Sequence, residues 1–227
     1  MIHVSVLGAT GKVGLAVVDE IERTDDLALA EPISASGDAD STPLSGAAFE
    51  GEDVVVDFSS PAGTMTLLDR LAGNAVPVVV GTTGFSPEQV QRLQDEGRAR
   101  PILVGANFTK GFEAFARAAR TLAGALPDAD LTVGEIYNAR KKSAASGTTQ
   151  RLYAELGESG RPVATEIQRI GDTPGVNTIT LDYGVATITL ELGVRSRAAY
   201  AAGALDAARW LIHQPRGFYQ PADLLTD

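Results

Sequence analysis

Three glycines near the start of the chain are spaced as in a turn that lets the backbone approach an anion closely. Gly8, Gly11 and Gly14 lie in the segment GATGKVG, between a strand-like run and a segment of helical periodicity. Glycines permit the tight turn, and the N-terminus of the following helix favours the negative charge of a pyrophosphate. The GxxGxxG pattern in this context predicts a dinucleotide site. The expected contacts there also include Thr10, Lys12 and Val13.

No residue distinguishes the two nicotinamide cofactors. An acidic residue about 20 positions after the glycines, at the end of the second strand, usually binds the ribose 2′-hydroxyl of NADH. That position is Ser34, and Glu31 falls inside the expected strand. A serine can hydrogen-bond a 2′-phosphate, but no arginine follows within the next dozen residues. We expect Ser34 to contact the cofactor, with NADH and NADPH as alternatives.

The elements that must position the turn alternate between strand and helix. Nearly continuous apolar runs, such as DVVVDFS at 53–59 and VPVVVG at 76–81, are typical of parallel strands buried on both faces. The alternation predicts an α/β fold with a Rossmann-like, doubly wound parallel sheet. Pro32 indicates that the second strand is an edge strand or a short one. The expected strands are 3–8, 27–34, 53–59, 76–81 and 101–105, and the expected helices are 12–24, 62–73 and 87–98.

After residue 107 the pattern changes to strands of period two, in which the two faces differ. This change predicts a second, α+β domain at 108–197, and a last helix at 198–213 that returns to the first domain. The dinucleotide-binding domain is then 1–107 plus 198–227. In the second domain the expected helices are 111–126 and one ending near 158, and the expected strands are 131–137, 163–170, 178–183 and 185–192.

The charge of the chain bears on its partners. The net charge of −10 argues against binding to nucleic acid or to an anionic membrane surface. Residues 1–90 contain 14 acidic and three basic residues, whereas residues 91–227 contain 15 acidic and 16 basic ones. The C-terminal part is therefore better suited to an anionic ligand.

Composition excludes further classes. The absence of cysteine excludes disulfides and thiolate metal sites, and His3 and His213 do not form a metal-ligand pattern, so we expect no metal. The N-terminus lacks the features of a signal peptide, and no apolar run approaches the ~20 residues that span a bilayer. We expect a soluble, cytoplasmic protein.

Several motifs together resemble the 4-hydroxy-tetrahydrodipicolinate reductase (dihydrodipicolinate reductase) family over essentially the whole chain. The matching stretches are GATGKVG at 8–14, VVDFSSPAGT at 55–64, GTTGF at 81–85, GANFTKG at 105–111, SGT at 146–148 and SRAAYAAGALDAARWL at 196–211. The resemblance implies a nicotinamide-dependent reductase whose second domain builds a homotetramer through its sheet. Cofactor contacts are then expected from Phe58, Gly81, Thr82, Thr83, Gly105, Ala106, Asn107 and Phe108.

The sequence departs from this family in its signature loop, which carries a His-His pair, a lysine and an SGT turn. Tyr137 and Asn138 occupy the positions of the two histidines, and Asn177 replaces a further family histidine. Lys141 is retained, as is the turn that the resemblance assigns to the substrate carboxylate, Ser146, Gly147 and Thr148.

The retained loop residues suit an anionic substrate. Ser146 can cap the following helix, whose first N–H groups, from Gly147 and Thr148, would bind a carboxylate. Arg140, Lys141 and Lys142 supply positive charge beside it. Reducing a C=N or conjugated C=C bond also requires a proton donor, for which Lys141 is the first candidate and Tyr137 the second. Asn138 can only hydrogen-bond, so we expect it to orient the substrate.

The loss of these histidines favours a diverged reductase of a related small, carboxylated nitrogen heterocycle, such as a cyclic imine or a dihydropyridine. Two alternatives are a lysine-pathway dihydrodipicolinate reductase with an unusual acid, and a non-catalytic NAD(P)-binding sensor. A purely structural interaction domain is disfavoured. The reductase hypothesis requires the glycine turn and the Ser146 turn to face each other across one crevice.

Overall fold

The structure is a computed structural model that describes residues 1–140, 144–158, 160–173 and 175–225. It divides into two compact units. Unit 1 comprises Met1–Lys110 and Arg197–Asp227, and unit 2 comprises Gly111–Ser196. None of the helices in the described ranges combines the length and the apolar character needed to cross a bilayer.

Unit 1 is built on a seven-stranded sheet whose described pairings are all parallel, which confirms the predicted Rossmann-like α/β fold. Its strands are β1 (Ile2–Leu7), β2 (Leu27–Ser34), β3 (Thr42–Pro43), β4 (Val54–Asp57), β5 (Val78–Val80), β6 (Pro101–Val104) and β11 (Gly217–Tyr219). The spatial order is β11-β6-β5-β4-β1-β2-β3. Its helices are α1 (Lys12–Glu22), α2 (Pro61–Arg70), α3 (Pro87–Glu96) and α6 (Ala198–Leu211), followed by the 3₁₀ helix Pro221–Leu225.

Both faces of this sheet are covered, as the continuous apolar strands require. Val54 and Val56 of β4 pack in a cluster with residues of α1 and α6. Val55, between them, packs on the opposite face with Leu67 of α2 and Leu93 of α3. The sheet therefore holds the carboxyl ends of its strands rigidly, and the loops that follow them start from fixed positions.

Three elements of unit 1 were not predicted: β3, β11 and the 3₁₀ helix. β3 and β11 have two and three residues, too few to show a periodicity. β2 has the predicted bounds, Leu27–Ser34, and only the two-residue β3 lies outside it in the sheet. Pro32 fits because β3 pairs only with Ile33 and Ser34, and because the register with β1 shifts between Val4 and Val6.

Unit 2 contains a four-stranded mixed sheet in the order β10-β9-β7-β8, which confirms the predicted α+β domain type. Its helices, α4 and α5, contribute Phe112 and Leu152 to a cluster with Val133 and Ile179 of the sheet. The elements are α4 (Phe112–Ala125), β7 (Asp130–Tyr137), α5 (Gly147–Gly157), β8 (Val163–Arg169), β9 (Gly175–Asp182) and β10 (Thr187–Val194).

The predicted alternation of faces holds for two of the three later strands. Buried or half-buried residues alternate with more exposed ones along β9 and β10. The prediction was wrong for β8, whose central residues are all exposed. β8 lies at the edge of the sheet, beside β7 only, which leaves both of its faces less covered.

Candidate functional site

The glycine turn of unit 1 is shaped by close backbone contacts. Gly8 has φ +84°, and a Cβ there would lie 2.6 Å from the carbonyl oxygen of Phe58. A Cβ on Gly14 would lie 1.9 Å from the carbonyl oxygen of Gly8. The amides of Gly8 and Ala9 donate to the carbonyl of Ile33, at 2.8 and 3.1 Å. The turn is thereby fixed against the end of β2, and only glycine fits at these two positions.

The same turn presents the start of α1 to an anion. Gly11 is the N-cap of α1 and provides no side-chain cap, so the first-turn amides are available to a ligand. Thr10 and Lys12 are exposed and Val13 is half-buried. These residues fit the pyrophosphate of a dinucleotide, because the close-packed glycines leave backbone rather than side chains at the surface of the turn.

A buried carboxylate organises the adjacent strand ends. Asp57, the last residue of β4, is fully buried and accepts hydrogen bonds from the amide and Oγ of Ser59, at 2.9 and 2.6 Å. It also accepts from Oγ1 of Thr64 at 2.5 Å and from Oγ1 of Thr82 at 3.2 Å. Burial raises the pKa of Asp57, although each of these hydrogen bonds lowers it. Asp57 thus joins β4, α2 and the loop after β5.

Sequence reasoning missed this role of Asp57. The available signal was one acidic residue ending an otherwise apolar strand, VVVD. Buried carboxylates are rare unless they have partners, so the position itself indicated a hydrogen-bonded group. The partners could not be identified, because Thr64 and Thr82 are distant in sequence.

Two aromatic rings are held by two glycines at the ends of β5 and β6. A Cβ on Gly81 would lie 2.1 Å from the ring of Phe58, and a Cβ on Gly105 would lie 3.0 Å from the ring of Phe108. The rings of Phe58 and Phe108 pack edge to face, with centroids 5.9 Å apart. Phe108 is buried in the core beside α6, whereas Phe58 is half-buried.

The remaining predicted cofactor residues of these loops differ in accessibility. Thr83 and Ala106 are exposed, so their side chains are accessible to a ligand. Thr82 and Asn107 are buried, and each uses its side chain internally: Thr82 donates to Asp57, and Oδ1 of Asn107 accepts from the amide of Thr109 at 2.7 Å. Because β5 and β6 are paired in parallel, the GTT and ANF segments that follow them lie together at one edge of the sheet.

A cavity of about 310 Å³ lies at the same edge, between the ends of β1, β2 and β4. Its volume is at the lower end of the range of about 300–1,000 Å³ for small-molecule sites. Ligands of open α/β sheets bind at this edge, where the strand order reverses. The cavity is lined by Leu7, Ala35, Leu44, Ser59, Ser60 and Gly63, among others.

Ser34 is buried at the end of β2, and its hydroxyl is used within the loop that follows. It accepts a hydrogen bond from the amide of Gly37, and its Oγ is hydrogen-bonded to Oγ of Ser41, both at 2.9 Å. Ser41 also donates to Asp38 at 2.7 Å. The hydroxyl of Ser34 thus supports the loop that borders the cavity.

In unit 2, Ser146 is the N-cap of α5, as predicted for this turn. Its Oγ accepts from the amide of Thr149 at 3.2 Å. Gly147 and Thr148 are the first residues of the helix, so their amides precede its first intrahelical hydrogen bond. A carboxylate is the type of group that such a helix N-terminus stabilises.

Glu135 of β7 supports this turn from below. Its buried carboxylate accepts from the amide of Ser146 at 3.1 Å, from Oγ1 of Thr149, and from Nη2 of Arg169 at 2.6 Å. Burial alone would raise the pKa of Glu135, but these hydrogen bonds outweigh it and hold the pKa below its usual value. Sequence reasoning missed both Glu135 and Arg169, because they are 34 residues apart and pair only across β7 and β8.

Tyr137 lies two residues further along the same face of β7 and is only 6 % exposed. Its phenol oxygen is 3.4 Å from Oδ1 of Asn177 and also interacts with the side chains of Ser146 and Thr148. Burial raises the pKa of the phenol. Gly175 makes room for the ring, since a Cβ there would lie 2.6 Å from Cε1 of Tyr137.

The basic loop is described only up to Arg140. Arg140 forms an exposed ion pair with Asp172 at 2.9 Å, and Oδ1 of Asn138 accepts from the amide of Arg140 at 3.1 Å. Lys141 and Lys142 lie outside the described residues. The cation placed against the Ser146 turn is Arg169, whose guanidinium also donates to the carbonyl of Ala144 at 2.8 Å. Among the described residues, no group of His, Cys, Asp and Glu is arranged to hold a metal ion.

Comparison with known proteins identifies the family. The model of the dihydrodipicolinate reductase N-terminus matches residues 2–108, and that of the dihydrodipicolinate reductase C-terminus matches residues 111–225. The chain is 32% identical to the 4-hydroxy-tetrahydrodipicolinate reductase of Haloarcula marismortui and 29% identical to that of Helicobacter hepaticus, with 99% of both chains covered in each case.

A solved structure agrees with this assignment at the level of the fold. Dihydrodipicolinate reductase from Paenisporosarcina sp. TG-14, bound to dipicolinate, superposes with a TM-score of 0.78 at 20% identity over the full length of both chains. The chain belongs to the dihydrodipicolinate reductase family and is an NAD(P)H-dependent reductase of that type.

Proposed function

We propose that this chain reduces a C=N or conjugated C=C bond in a small carboxylated nitrogen heterocycle, a cyclic imine or a dihydropyridine. Its activity has diverged from that of dihydrodipicolinate reductase. One observation carries the proposal. Tyr137 and Asn177, which by resemblance replace two family histidines, lie 3.4 Å apart beside the Ser146 turn. Two of the three departures from the family pattern thus meet at one place beside this turn.

The cofactor is assigned to the carboxyl edge of the unit 1 sheet. Bound NADH or NADPH supplies the hydride. The glycine turn and the first amides of α1 hold the pyrophosphate, with Thr10, Lys12 and Val13 beside it. The backbone of Gly81, Thr82, Gly105 and Asn107, with exposed Thr83 and Ala106, orients the nicotinamide, and Phe58 and Phe108 support these loops.

The substrate carboxylate is assigned to the amides of Gly147 and Thr148, with Asn138 orienting the ring. Glu135 supports this assignment, because its hydrogen bonds to Ser146 and Thr149 fix the turn before a ligand arrives. Its negative charge is balanced by Arg169 at 2.6 Å, so it does not leave an unpaired anion behind the carboxylate.

Lys141 is assigned as the proton donor. Burial raises the pKa of Tyr137, which makes the phenol a weaker acid near neutral pH and disfavours the second candidate. The geometry suits Tyr137 better to a structural role, in which the phenol hydrogen-bonds Asn177 and the Ser146 turn.

A homotetramer, formed through the sheet of unit 2, is part of the same proposal. The sheet face opposite α4 and α5 carries polar side chains on β9 and β10, such as Thr178, Thr180, Thr189 and Glu191. A second sheet could pack on such a face. Sedimentation of the purified protein measures the number of chains directly.

The second candidate is dihydrodipicolinate reduction itself, which the 32% identity to the Haloarcula marismortui enzyme favours. The deciding experiment supplies purified protein with dihydrodipicolinate and with a panel of cyclic imine and dihydropyridine carboxylates, and follows NADH and NADPH oxidation. We expect dihydrodipicolinate to be turned over at least about a hundredfold below the median kcat of about 10 s⁻¹ for enzymes, and one panel member to exceed it. Dihydrodipicolinate turnover near that median would establish the second candidate instead.

A further inference from the structure

We infer that the adenosine end of the cofactor site selects NADH over NADPH by excluding the 2′-phosphate. The inference rests on the proposed function, because it assumes that a nicotinamide dinucleotide occupies the carboxyl edge of the unit 1 sheet. It concerns the loop at residues 35–41 and the cavity that this loop borders.

The loop is held in one conformation by its own polar side chains. Ser34, at its start, accepts from the amide of Gly37 and is hydrogen-bonded to Oγ of Ser41, and Ser41 donates its proton to Asp38. The amide of Asp40 also donates to Asp38, at 3.0 Å. These contacts keep two acidic residues, Asp38 and Asp40, on the loop that follows Ala35, and Ala35 lines the cavity.

Asp38 of this loop is held in its ionised form by a neighbouring hydroxyl. The hydrogen bond from Ser41 lowers the pKa of Asp38 below its usual value. The exposed carboxylates of Asp38 and Asp40 place negative charge beside the end of β2, the position at which dinucleotide-binding folds contact the 2′ substituent of the ribose. A 2′-phosphate there would meet like charge, whereas a 2′-hydroxyl would not.

The segment that borders this edge, residues 24–69, carries no positive charge to neutralise a 2′-phosphate. The sequence contains no arginine or lysine between Arg23 and Arg70. Arg23 follows the C-terminus of α1 and Arg70 ends α2, so each is about 15 Å along its helix from the carboxyl edge of the sheet. Arg70 is also engaged there, since its Nη2 donates to the carbonyl of Ala47 at 2.5 Å.

Lys12 is the first residue of α1 and directly follows Gly11 of the glycine turn, so its positive charge lies beside that turn. We assign it to the pyrophosphate, which NADH and NADPH share, so it does not distinguish them. Selection then comes from repulsion of the unwanted ligand rather than from a new contact to the preferred one.

The test measures binding of NADH and NADPH to the purified full chain by isothermal titration calorimetry, without substrate. We expect NADH to bind at least about tenfold more tightly at low salt, with the ratio decreasing at 1 M salt, where exposed charges are screened over ~3 Å. Asp38→Asn combined with Asp40→Asn should raise NADPH affinity several-fold and leave NADH affinity unchanged. Asn retains an oxygen that can accept from Ser41.

A matched control removes two exposed acids elsewhere in unit 1, Asp19→Asn with Asp25→Asn, and should leave the ratio unchanged. Lys12→Ala should weaken both cofactors by the same factor. Equal or tighter binding of NADPH, an unchanged ratio in the Asp38/Asp40 variant, or a selective loss of NADPH in Lys12→Ala would each overturn the inference and leave the proposed function intact. Failure of both cofactors to bind would instead overturn the proposed function.

Discussion

The phenol oxygen of Tyr137 lies 3.4 Å from Oδ1 of Asn177, with both side chains almost fully buried on one face of the unit 2 sheet. By resemblance, both positions carry histidine in the family. Two groups that can take up protons are thus replaced by an amide, which does not titrate, and a phenol whose pKa is raised by burial. The surroundings of the Ser146 turn remain polar at these two positions and lose the capacity to change charge near neutral pH.

Removal of the proposed proton donor should affect chemistry and not cofactor binding. We expect Lys141→Ala to lower kcat by ~10²–10⁴, the usual contribution of a general acid, with the dissociation constant of NADH unchanged. Lys142→Ala, the neighbouring lysine, is the control and should retain most activity. A Tyr137→Phe variant that loses turnover while Lys141→Ala keeps it would reverse the assignment. Steady-state kinetics with the best panel substrate measures all three.

Restoring the family histidines should restore the family reaction. In the triple variant Tyr137→His, Asn138→His, Asn177→His, we expect kcat/KM for dihydrodipicolinate to rise at least about tenfold, and kcat/KM for the native substrate to fall. The single variant Asn177→His should raise kcat/KM for dihydrodipicolinate only slightly, because its new imidazole faces the unchanged Tyr137. If the triple variant folds, as judged by its circular dichroism spectrum, and gains nothing, the histidines are not what separates the two activities.

Breaking the ion pair beneath the Ser146 turn should destabilise unit 2. Glu135→Gln leaves Arg169 without its carboxylate, and loss of one partner of a buried pair costs about 3 kcal/mol. Because the folded pKa of Glu135 lies below its usual value of 4.5, the stabilisation is present above that pH and is lost as the pH falls through the folded pKa. The difference in unfolding free energy between wild type and Glu135→Gln should therefore shrink in acid. Asp172→Asn, which breaks only the exposed pair with Arg140, is the control and should show no such change.

Asp57 should show the opposite pH dependence. Its folded pKa is raised above 3.8 by burial, so protonation favours the folded state and the associated stability is lost as the pH rises through the folded pKa. We expect wild type to lose unfolding free energy relative to Asp57→Asn as the pH rises above 3.8 and through the folded pKa, measured by urea denaturation at each pH. A constant difference across these pH values would mean that Asp57 titrates normally.

The glycine turn should not tolerate a methyl group. Gly14→Ala places a Cβ 1.9 Å from the carbonyl oxygen of Gly8, so we expect loss of measurable NADH binding and a lower melting temperature. Gly124→Ala, in α4, has no atom within 4 Å of the added Cβ and should stabilise unit 2 by about 0.5–1 kcal/mol. Calorimetry and thermal melting of both variants separate the effect of crowding from that of replacing a glycine.

The fold followed from local patterns, and most of the site's supports did not. The apolar runs of β4 and β5 and the glycine turn identify the sheet directly, because each signal lies within a few residues. Asp57 and the Glu135–Arg169 pair depend on contacts between distant segments, which no local pattern encodes. The two shortest strands, β3 and β11, exist because neighbouring strands offer them partners, so their sequences carry no periodic signal.

The packing of Phe58 against Gly81 has a consequence for how this protein can change over generations. Any larger residue at 81 would overlap the ring at 58, and any smaller ring at 58 would leave a void that Gly81 cannot fill. A substitution at either position alone should destabilise the loop, so tolerated substitutions should occur as compensating pairs. We therefore expect substitutions at 58 and 81 to be correlated among related sequences. The destabilisation caused by Gly81→Ala alone should be relieved by a smaller side chain at 58.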